Sequence, residues 1–399
     1  MANKKCVLIV GGGIAGPVLA LFLKQSGFCV HIFEASNGPS DAGGALGLAP
    51  NGMNVLAAAG VIEQVRDASV TAYEWAFENQ HGKILACQSA GDPKRFGQAG
   101  VMITRSALHR VLVEQAEAQC ISITYNKRLT AIDDKPDQPI VAHFDDGTRI
   151  EGDLIVGADG IRSQVRRAVM PEAPKPVYSG LLAPGGFSPC LDGNVTARSD
   201  QRVHFIFGQN GFFGYFNTIT AEGPRTLWWS TSVARLDSKE QMASTPKAEL
   251  QQRLMELHGE WASPVPQLIR SATDILNVAI HDIPSLPRWS SGRAILIGDA
   301  AHAVAPHSGQ GASMALEDAQ YLAKLLRESN GLQLERVFAE FEQHRRPRTD
   351  RVIALGRRNG RYKEKVSAVA FWIQQQMIRI FVPLTRTKNQ DWLLSYKAE

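Results

Sequence analysis

A stretch near the N-terminus, Gly11-Gly12-Gly13-Ile14-Ala15-Gly16, has the glycine spacing G-x-G-x-x-G. It follows the apolar run Cys6–Val10 and precedes helical periodicity over 14–25, so it should connect a strand to a helix. These glycines allow a tight turn, close approach of a pyrophosphate and close packing of helix on strand. Glu34 ends the next predicted strand, where a carboxylate can bind an adenosine ribose. The pattern predicts dinucleotide binding without choosing between FAD and NAD.

A second apolar run ends in Ala158-Asp159-Gly160 and is followed by a predicted helix. Two interpretations of Asp159 stay open. Its carboxylate could cap that helix, as aspartate commonly does. Alternatively, Asp159 and Gly160 lie beside the pyrophosphate, where a nicotinamide cofactor could also pass.

The third segment begins with Asp299-Ala300-Ala301-His302, directly after a predicted strand at 294–297, and continues through Pro306 to Gly309-Gln310-Gly311-Ala312. Ligands of parallel sheets bind at the carboxyl ends of strands, where Asp299 is expected. A helix that begins at 309–312 would point its free N–H groups at the carbonyl edge of an isoalloxazine ring and stabilise the anionic reduced form. This segment favours FAD. For His302 a structural hydrogen bond is expected rather than acid–base catalysis.

The elements that must position these segments indicate an α/β protein with a Rossmann-like sheet. Strands are predicted at 29–33, 121–125, 128–133, 140–144 and 149–156, and helices at 106–118, 248–258 and 312–327. Residues 171–289 are richer in Pro, Gly and aromatics, with alternation typical of an antiparallel sheet. We therefore predict a split cofactor domain at 1–170 and 290–330, an inserted substrate domain at 171–289, and a helical segment at 331–399, with helices over 329–350 and 351–384.

Composition excludes several classes of protein. The chain has 399 residues, 44% apolar and 21% charged, with a formal net charge of +4, so a nucleic-acid partner is not expected. Five scattered cysteines show no C-x-x-C spacing, so neither disulfides nor a metal site is predicted and a cytoplasmic location follows. No apolar run is long enough to span a membrane. A monomer is the default expectation, with a dimer possible.

The three segments, in this order and spacing, resemble the class A flavoprotein monooxygenases, the group that includes para-hydroxybenzoate hydroxylase and the tetracycline-inactivating monooxygenases. The resemblance covers 1–170 and 290–330 best. It implies that Glu34 binds the adenosine ribose and that Asp299 binds the ribityl chain. It further implies that Arg105 reaches the phosphates and ribityl group, that Gly47 lines the flavin with its neighbours Gly44 and Ala45, and that Pro306, Gly309, Gly311 and Ala312 contact the ring.

The same resemblance implies the reaction. NAD(P)H, with NADPH favoured, reduces FAD; O2 adds at C4a; and the resulting hydroperoxide passes one oxygen atom to an electron-rich carbon of an aromatic or polycyclic small molecule. The pocket must exclude water, because the hydroperoxide otherwise decays to peroxide. A flavin-dependent reductase or oxidase, and a non-catalytic flavoprotein that binds a ligand, are the alternatives.

Catalytic side chains cannot be named from the sequence, but substrate contacts can be suggested. The aromatic residues at 203–229 could form the substrate wall, although core packing is the commoner role of such residues. The candidates are Tyr215, Phe213 and Trp229 from this region and His307 from the loop at 303–311, here called the flavin loop. The apolar stretch 366–384 has three interpretations: a helix packed on the flavin domain, a lid over the substrate entrance, or a membrane-surface helix, the last disfavoured by its few cationic residues.

Overall fold

The structure is a computed structural model that describes residues 4–39, 44–190, 201–220, 222–233, 245–361, 366–384 and 391–397. Its strands are β1 Cys6–Val10, β2 Cys29–Phe33, β3 Ala45–Leu48, β4 Val70–Thr71, β5 Glu74–Asn79, β6 Ile84–Ser89, β7 Val101–Thr104, β8 Ser122–Thr124, β9 Leu129–Asp133, β10 Ile140–Phe144, β11 Arg149–Gly152, β12 Leu154–Gly157, β13 Val177–Leu182, β14 Gly185–Pro189, β15 Arg202–Gly208, β16 Gly211–Thr220, β17 Gly223–Val233, β18 Asp274–Leu276, β19 Ala279–Asp282, β20 Ser290–Ser291 and β21 Ala294–Leu296.

The helices are α1 Ala15–Gln25, α2 Pro50–Ala58, α3 Ile62–Asp67, α4 Pro93–Phe96, α5 Arg105–Ala118, α6 Gln164–Val169, α7 Lys247–His258, α8 Val265–Arg270, α9 Asp299–His302, α10 Gly311–Glu328, α11 Leu334–Arg361, α12 Ala368–Leu384 and α13 Asp391–Leu394. A 3-10 turn occupies Pro306–Ser308. Among the described residues, no helix is long and apolar enough to cross a membrane.

A six-stranded sheet in the order β20-β21-β12-β1-β2-β8 forms the centre of the first layer, and its central strands are parallel. Strand β1 is a run of apolar residues because both faces of the sheet are covered: Val7, Leu8 and Ile9 are fully buried. Helix α1 packs against β1 and β2, and a three-stranded sheet also lies against the parallel sheet, with Leu8 beside Gly152 of β11 and Phe33 against Phe144 of β10. Strand β1 pairs with β12 on one side and β2 on the other, with Ile9 opposite Val156 and Ile32. This arrangement confirms the Rossmann-like prediction and places the carboxyl ends of β1, β12 and β21 side by side.

The predicted strand at 149–156 is two strands in two sheets. Strand β11 pairs with β10 in a three-stranded sheet, whereas β12 pairs with β1 in the parallel sheet. The chain changes direction at Asp153, whose carboxylate accepts a hydrogen bond from the Cys6 N–H at 2.7 Å and pairs with Lys5 at 2.9 Å. The two strands differ in burial: β11 alternates exposed and partly buried residues up to Gly152, whereas every residue of β12 is buried.

The largest sheet has nine strands and runs β18-β14-β17-β16-β15-β5-β6, with β13 paired to β17 and β19 paired to β13. Strands β5 and β6 come from residues 74–89, outside the 171–289 range in which we predicted the antiparallel sheet. They join it through a parallel pairing of β5 with β15, in which Phe77 lies opposite Phe205. A further three-stranded sheet, β3-β7-β4, lies against this large sheet.

The C-terminal helices also differ from the predicted bounds of 329–350 and 351–384. One helix, α11, continues from Leu334 to Arg361 across the predicted boundary at 350–351 and contains Pro347, and the next described helix begins at Ala368. Proline normally breaks a helix because it lacks an N–H group and its ring clashes with the preceding turn. Here Pro347 is exposed, while Arg345 and Arg348 on either side are fixed by ion pairs to α10. These pairs hold the helix direction across the proline.

Candidate cofactor and substrate site

The glycine-rich loop connects β1 to α1 and is held from two sides. The Gly12 N–H donates to a carboxylate oxygen of Glu34 at 2.7 Å, and the Gly12 carbonyl oxygen lies 2.7 Å from Nε2 of His109. The second oxygen of Glu34 accepts from the Ser36 N–H at 2.8 Å. Glu34 is half-buried at the end of β2, so the loop and the expected ribose ligand share one carboxylate. His109 was missed by sequence reasoning, although it lies one helical turn after Arg105.

Two glycines of this loop have no room for a side chain. Gly11 has φ +114°, and an added Cβ would lie 2.3 Å from the Ala158 carbonyl oxygen. A Cβ on Gly16 would lie 2.0 Å from the Gly11 carbonyl oxygen, because α1 packs directly on the turn. By contrast, Gly13 has no neighbouring atom within 4 Å on its Cβ side. The loop is therefore closed toward the protein and open where a pyrophosphate would approach.

The N-terminus of α1 faces this opening, and no side chain among the described residues caps it. Ile14 is the N-cap residue, and no acidic residue lies in the first turn. The N–H groups at the start of a helix, together with its dipole, bind anions. Ile14, Ala15 and Gly16 thus present the chemistry that a pyrophosphate needs.

The second segment both caps a helix and contacts the loop. One oxygen of Asp159 accepts from the N–H groups of Gln164 and Val165 at 2.6 and 3.1 Å, so Asp159 does cap α6. Burial raises the pKa of this carboxyl, although the hydrogen bonds oppose the shift. The Cα of Asp159 would lie only 2.8 Å from a Cβ on Gly11, so the same residue also borders the glycine-rich loop. The capping interpretation of Asp159 describes the structure, and its place beside the pyrophosphate stays a prediction.

A buried arginine that sequence reasoning missed joins the second segment to the third. Arg166 donates to the Ala300 carbonyl oxygen at 2.7 Å and to the Ile161 carbonyl oxygen at 2.6 Å. Its side chain is 2% exposed, and burial lowers its pKa, while nearby Asp159 opposes that change. Because it binds backbone carbonyls, Arg166 fixes the position of α9 and of Asp299 at its start.

Asp299 and Arg105 lie near each other although they are far apart in the sequence. Asp299 begins α9 directly after β21, and Arg105 begins α5, where its backbone N–H donates to the Gly44 carbonyl oxygen at 3.0 Å. Both residues are exposed. Surrounding protein excludes bulk water from most directions and raises the pKa of Asp299, while His302 and Arg105 favour its ionised form. One carboxylate and one guanidinium thus lie close enough for their charges to interact.

The remaining predicted flavin contacts lie on β3 and on the loop before α10. Gly44 and Ala45 open β3, where Ala45 pairs with Thr104 and Gly47 with Met102 of β7. Gly47 is exposed. Pro306 and Gly309 are exposed, Gly309 has a left-handed backbone with φ +63°, and α10 begins at Gly311 with no side-chain cap. The N–H groups of Gly311 and Ala312 are consequently available to a ligand.

A buried network of charged side chains connects His302 to helices α10 and α11. His302 lies 2.5 Å from Asp318, whose carboxylate also accepts the Gly298 N–H at 2.9 Å and pairs with Arg345 at 2.7 Å. Burial alone would raise the pKa of Asp318, but His302 and Arg345 outweigh it and lower that pKa to about 2. The predicted structural hydrogen bond of His302 is present, and the network as a whole was not predicted.

The neighbouring carboxylate extends the network to the flavin loop. Glu317 pairs with Arg345 and Arg348, each at 2.7 Å, and accepts from Asn51 at 2.6 Å. Asn51 also donates to the side chain of Gln310 at 3.1 Å, and Gln310 is the N-cap residue of α10. The start of α10 is therefore connected to helix α11 through paired, buried charges.

The four suggested substrate contacts fall in different places. Trp229 lies on the inner face of the nine-stranded sheet, in a cluster with Phe205, Ala45 and Met102. Phe213 lies on the opposite face, fully buried, and stacks on Trp228 with ring centroids 5.5 Å apart. Tyr215 lies on the same face as Phe213, which we call the outer face. Alternation along a strand separates the two faces but does not say which one meets the cofactor domain.

On the outer face, Tyr215 stacks on His204 with ring centroids 4.2 Å apart. His307 is held in the 3-10 turn, where its carbonyl oxygen accepts from Asn359 at 3.1 Å and its ring packs against Gly360 of α11. Only Trp229 of the four therefore belongs to the cluster that also contains β3 and β7 residues. A groove of about 830 Å³ between residues 290–292 and α11 is lined by none of the predicted cofactor residues.

Comparisons with known proteins agree with this geometry. A family model described as FAD binding domain matches residues 4–355. The 6-hydroxynicotinate 3-monooxygenase of Pseudomonas fluorescens is 30% identical over 366 residues, covering 90% of this chain and 92% of the relative. A salicylate hydroxylase of Pseudomonas putida is 30% identical over 377 residues, covering 88% and 85% of the two chains.

Among solved structures, Klebsiella pneumoniae HpxO, complexed with FAD and uric acid, superposes with a TM-score of 0.81 at 23% identity. The superposition covers 94% of this chain and 92% of that one, which shows a common fold. The prediction of FAD over NAD is confirmed by the family match. This chain belongs to the FAD-binding class A flavoprotein monooxygenases.

Proposed function

We propose that the protein uses NADPH and O2 to hydroxylate a small, planar, hydroxylated aromatic ring that lies between the cofactor cleft and the inner face of the nine-stranded sheet. One observation carries the proposal: the inner-face aromatics Trp229 and Phe205 pack with Ala45 and Met102 of β3 and β7. Strand β3 also carries Gly47, the predicted neighbour of the flavin. Two aromatic side chains, packed edge to face with ring centroids 6.0 Å apart, thus lie beside the element expected to border the ring.

Relatives support this choice of substrate class. Two that match over most of this chain are named for 6-hydroxynicotinate and for salicylate, each a hydroxylated aromatic acid. A hydroxyl group enriches the ring in electrons, as oxygen transfer to carbon requires. We also propose a monomeric enzyme of the cytoplasm, where thiols stay reduced, because all five cysteines lie outside disulfides.

The residues around the cleft would hold FAD as follows. Glu34 would bind the adenosine ribose, the N-terminus of α1 the pyrophosphate, and Asp299 with Arg105 the ribityl chain and phosphates. When bound, FAD supplies the redox chemistry: it accepts a hydride from the reduced nicotinamide and activates O2. The N–H groups at the start of α10 would stabilise negative charge on the reduced ring. Trp229 and Phe205 would orient the substrate and exclude water.

The test is a panel of hydroxylated benzoates, pyridines and quinolines incubated with the FAD-loaded enzyme. NADPH and NADH consumption are followed separately, and products are examined by mass spectrometry. We expect at least one compound to accelerate NADPH oxidation and to gain one oxygen atom. If every compound leaves the rate unchanged, or if NADPH is consumed with peroxide as the sole product, the assigned substrate class is wrong. Faster turnover with NADH would show that NADH, and not NADPH, is the preferred hydride donor.

A further inference from the structure

Helix α12 turns its apolar side toward solvent. Seven large apolar residues of this 17-residue helix are between 49% and 74% exposed. They are Val369, Trp372, Ile373, Met377, Ile380, Phe381 and Leu384. Their spacing of three and four residues places most of them along one side of the helix. Large apolar side chains exposed together on one side of a helix are uncommon on a soluble monomer and mark an interaction surface.

The opposite side of α12 is the one that contacts the protein, and it is partly polar. Phe371 is the residue of this helix that is buried, and the side chain of Gln375 accepts from Asn79 of β5 at 2.8 Å. The Val366 N–H, just before the helix, donates to the Gln209 carbonyl oxygen at 2.8 Å. The helix is therefore anchored on the edge of the nine-stranded sheet in an orientation that leaves the larger apolar side uncovered.

The charge of the surrounding sequence selects the partner. Residues 358–388 contain seven basic side chains and one acidic side chain, Glu364. The basic residues are Arg358, Arg361, Lys363, Lys365, Arg379, Arg386 and Lys388. Lys363, Lys365, Arg386 and Lys388 lie outside the described residues and count here only by their charge and their nearness in sequence to α12. An excess of six positive charges, seven basic against one acidic, so near α12 in sequence disfavours the pairing of two copies of this helix. An anionic lipid surface offers both an apolar phase for the exposed face and negative charge for the flanks.

We propose that α12 docks the enzyme on the surface of an anionic membrane, with the exposed apolar side chains at the boundary between headgroups and acyl chains. Trp372 and Phe381 suit this depth, because aromatic rings are enriched at membrane interfaces. The sequence alone disfavoured such a helix, since 366–384 contains few cationic residues. The outward orientation of the apolar side and the basic flanks on both ends reverse that expectation.

The test is flotation of the FAD-loaded enzyme with vesicles of phosphatidylcholine, with and without phosphatidylglycerol. We expect the wild type to float with the anionic vesicles, and to float less at high salt because charges are then screened. Replacing two half-exposed residues in the variant I373Q/M377Q should lower the partition coefficient about tenfold. The variant K363Q/K365Q should weaken binding to anionic vesicles and leave any binding to neutral ones unchanged.

The matched control is Leu332→Gln, which removes a side chain of similar exposure, 57%, from the connection between α10 and α11. It should float like the wild type, and all variants should keep the flavin absorbance of the wild type. A wild type that stays in solution with both vesicle types overturns the proposal. So does a concentration-dependent dimer that I373Q/M377Q dissociates while vesicles have no effect, which would assign the face to a second copy. Equal losses in L332Q and I373Q/M377Q would also refute it.

Discussion

Nε of Arg345 lies 2.7 Å from a carboxylate oxygen of Asp318, and both side chains are completely buried. Burial would lower the pKa of Arg345, but Asp318 and Glu317 outweigh it and raise that pKa, so the guanidinium stays charged. The pair joins α11 to the element that follows the flavin loop. The C-terminal segment covers it, with Arg345 under the ring of Tyr396 at 4.9 Å.

Arg345→Met should therefore be strongly destabilising. It leaves Asp318 and Glu317 buried without their shared cation, and removing one partner of a buried ion pair costs about 3–5 kcal/mol. The free energy of urea unfolding measures the loss. Arg253→Met is the matched control, because Arg253 pairs with Glu249 on the surface of α7 and such pairs contribute roughly 0.5 kcal/mol. Equal losses in the two variants would show that the buried pair has no special role.

His258 should make stability depend on pH. It is fully buried at the end of α7, its Nε2 lies 2.7 Å from the Ser230 hydroxyl, and burial lowers its pKa to about 4. The unfolded chain binds a proton near pH 6.5, whereas the folded protein does so near pH 4. The free energy of unfolding is therefore highest above pH 6.5, where His258 is neutral in both states, and it falls by about 3 kcal/mol as the pH drops toward 4.

Urea unfolding between pH 7 and pH 4 measures this dependence. His258→Phe removes the titrating group and keeps an aromatic ring beside Phe213 and Trp261. We expect a shallower loss of stability in the variant over the same range. Parallel curves for the two proteins would rule out His258 as the source.

Asp299→Ala should release FAD while the protein stays folded. Asp299 is exposed, so removal of its carboxylate leaves no cavity in the core. Loss of charge-assisted hydrogen bonds to the ribityl chain should raise the Kd for FAD at least roughly tenfold. Fluorescence titration of the apoprotein with FAD measures this, and Asp67→Ala, on the exposed side of α3, serves as the control. Unchanged affinity in D299A would remove Asp299 from the cofactor site.

His109→Ala should weaken FAD binding indirectly, because the glycine-rich loop loses a hydrogen bond that holds it, and not because a direct contact with FAD is lost. The variant removes the hydrogen bond to the Gly12 carbonyl oxygen but leaves Glu34 on the Gly12 N–H. A single hydrogen bond of this kind contributes about 1 kcal/mol, so the Kd for FAD should rise about fivefold. His109→Gln, which can restore a donor, should recover part of the affinity. A variant with the wild-type Kd would show that Glu34 alone fixes the loop.

Trp229→Ala should raise KM for the aromatic substrate more than it lowers kcat, because an aromatic surface contributes mainly binding energy. Tyr215→Phe is the comparison, since Tyr215 lies on the outer face and stacks on His204. It should leave both kinetic constants close to those of the wild type. If Y215F raises KM as much as W229A does, the substrate does not lie against the inner face.

The sequence predicted local elements well because their signals are local. The first strand, glycine-rich turn, helix and second strand match the prediction almost residue for residue, and Glu34 lies where the spacing placed it. His109, Arg166 and Arg345 were missed since each acts on a partner far along the chain. Tyr215 and Phe213 were suggested as substrate contacts because alternation cannot show which face of a sheet is the inner one.

The parallel pairing of β5 with β15 limits how this fold can be recombined. The two strands join residues more than a hundred positions apart, and Arg202 reaches across to Glu74. A chimera that exchanges only residues 171–289 with a relative would leave β5 and β6 from one parent facing β15 from the other. To exchange substrate preference between relatives, residues 74–89 should therefore be transferred together with the later strands. The two segments are separate in sequence but adjacent in the sheet.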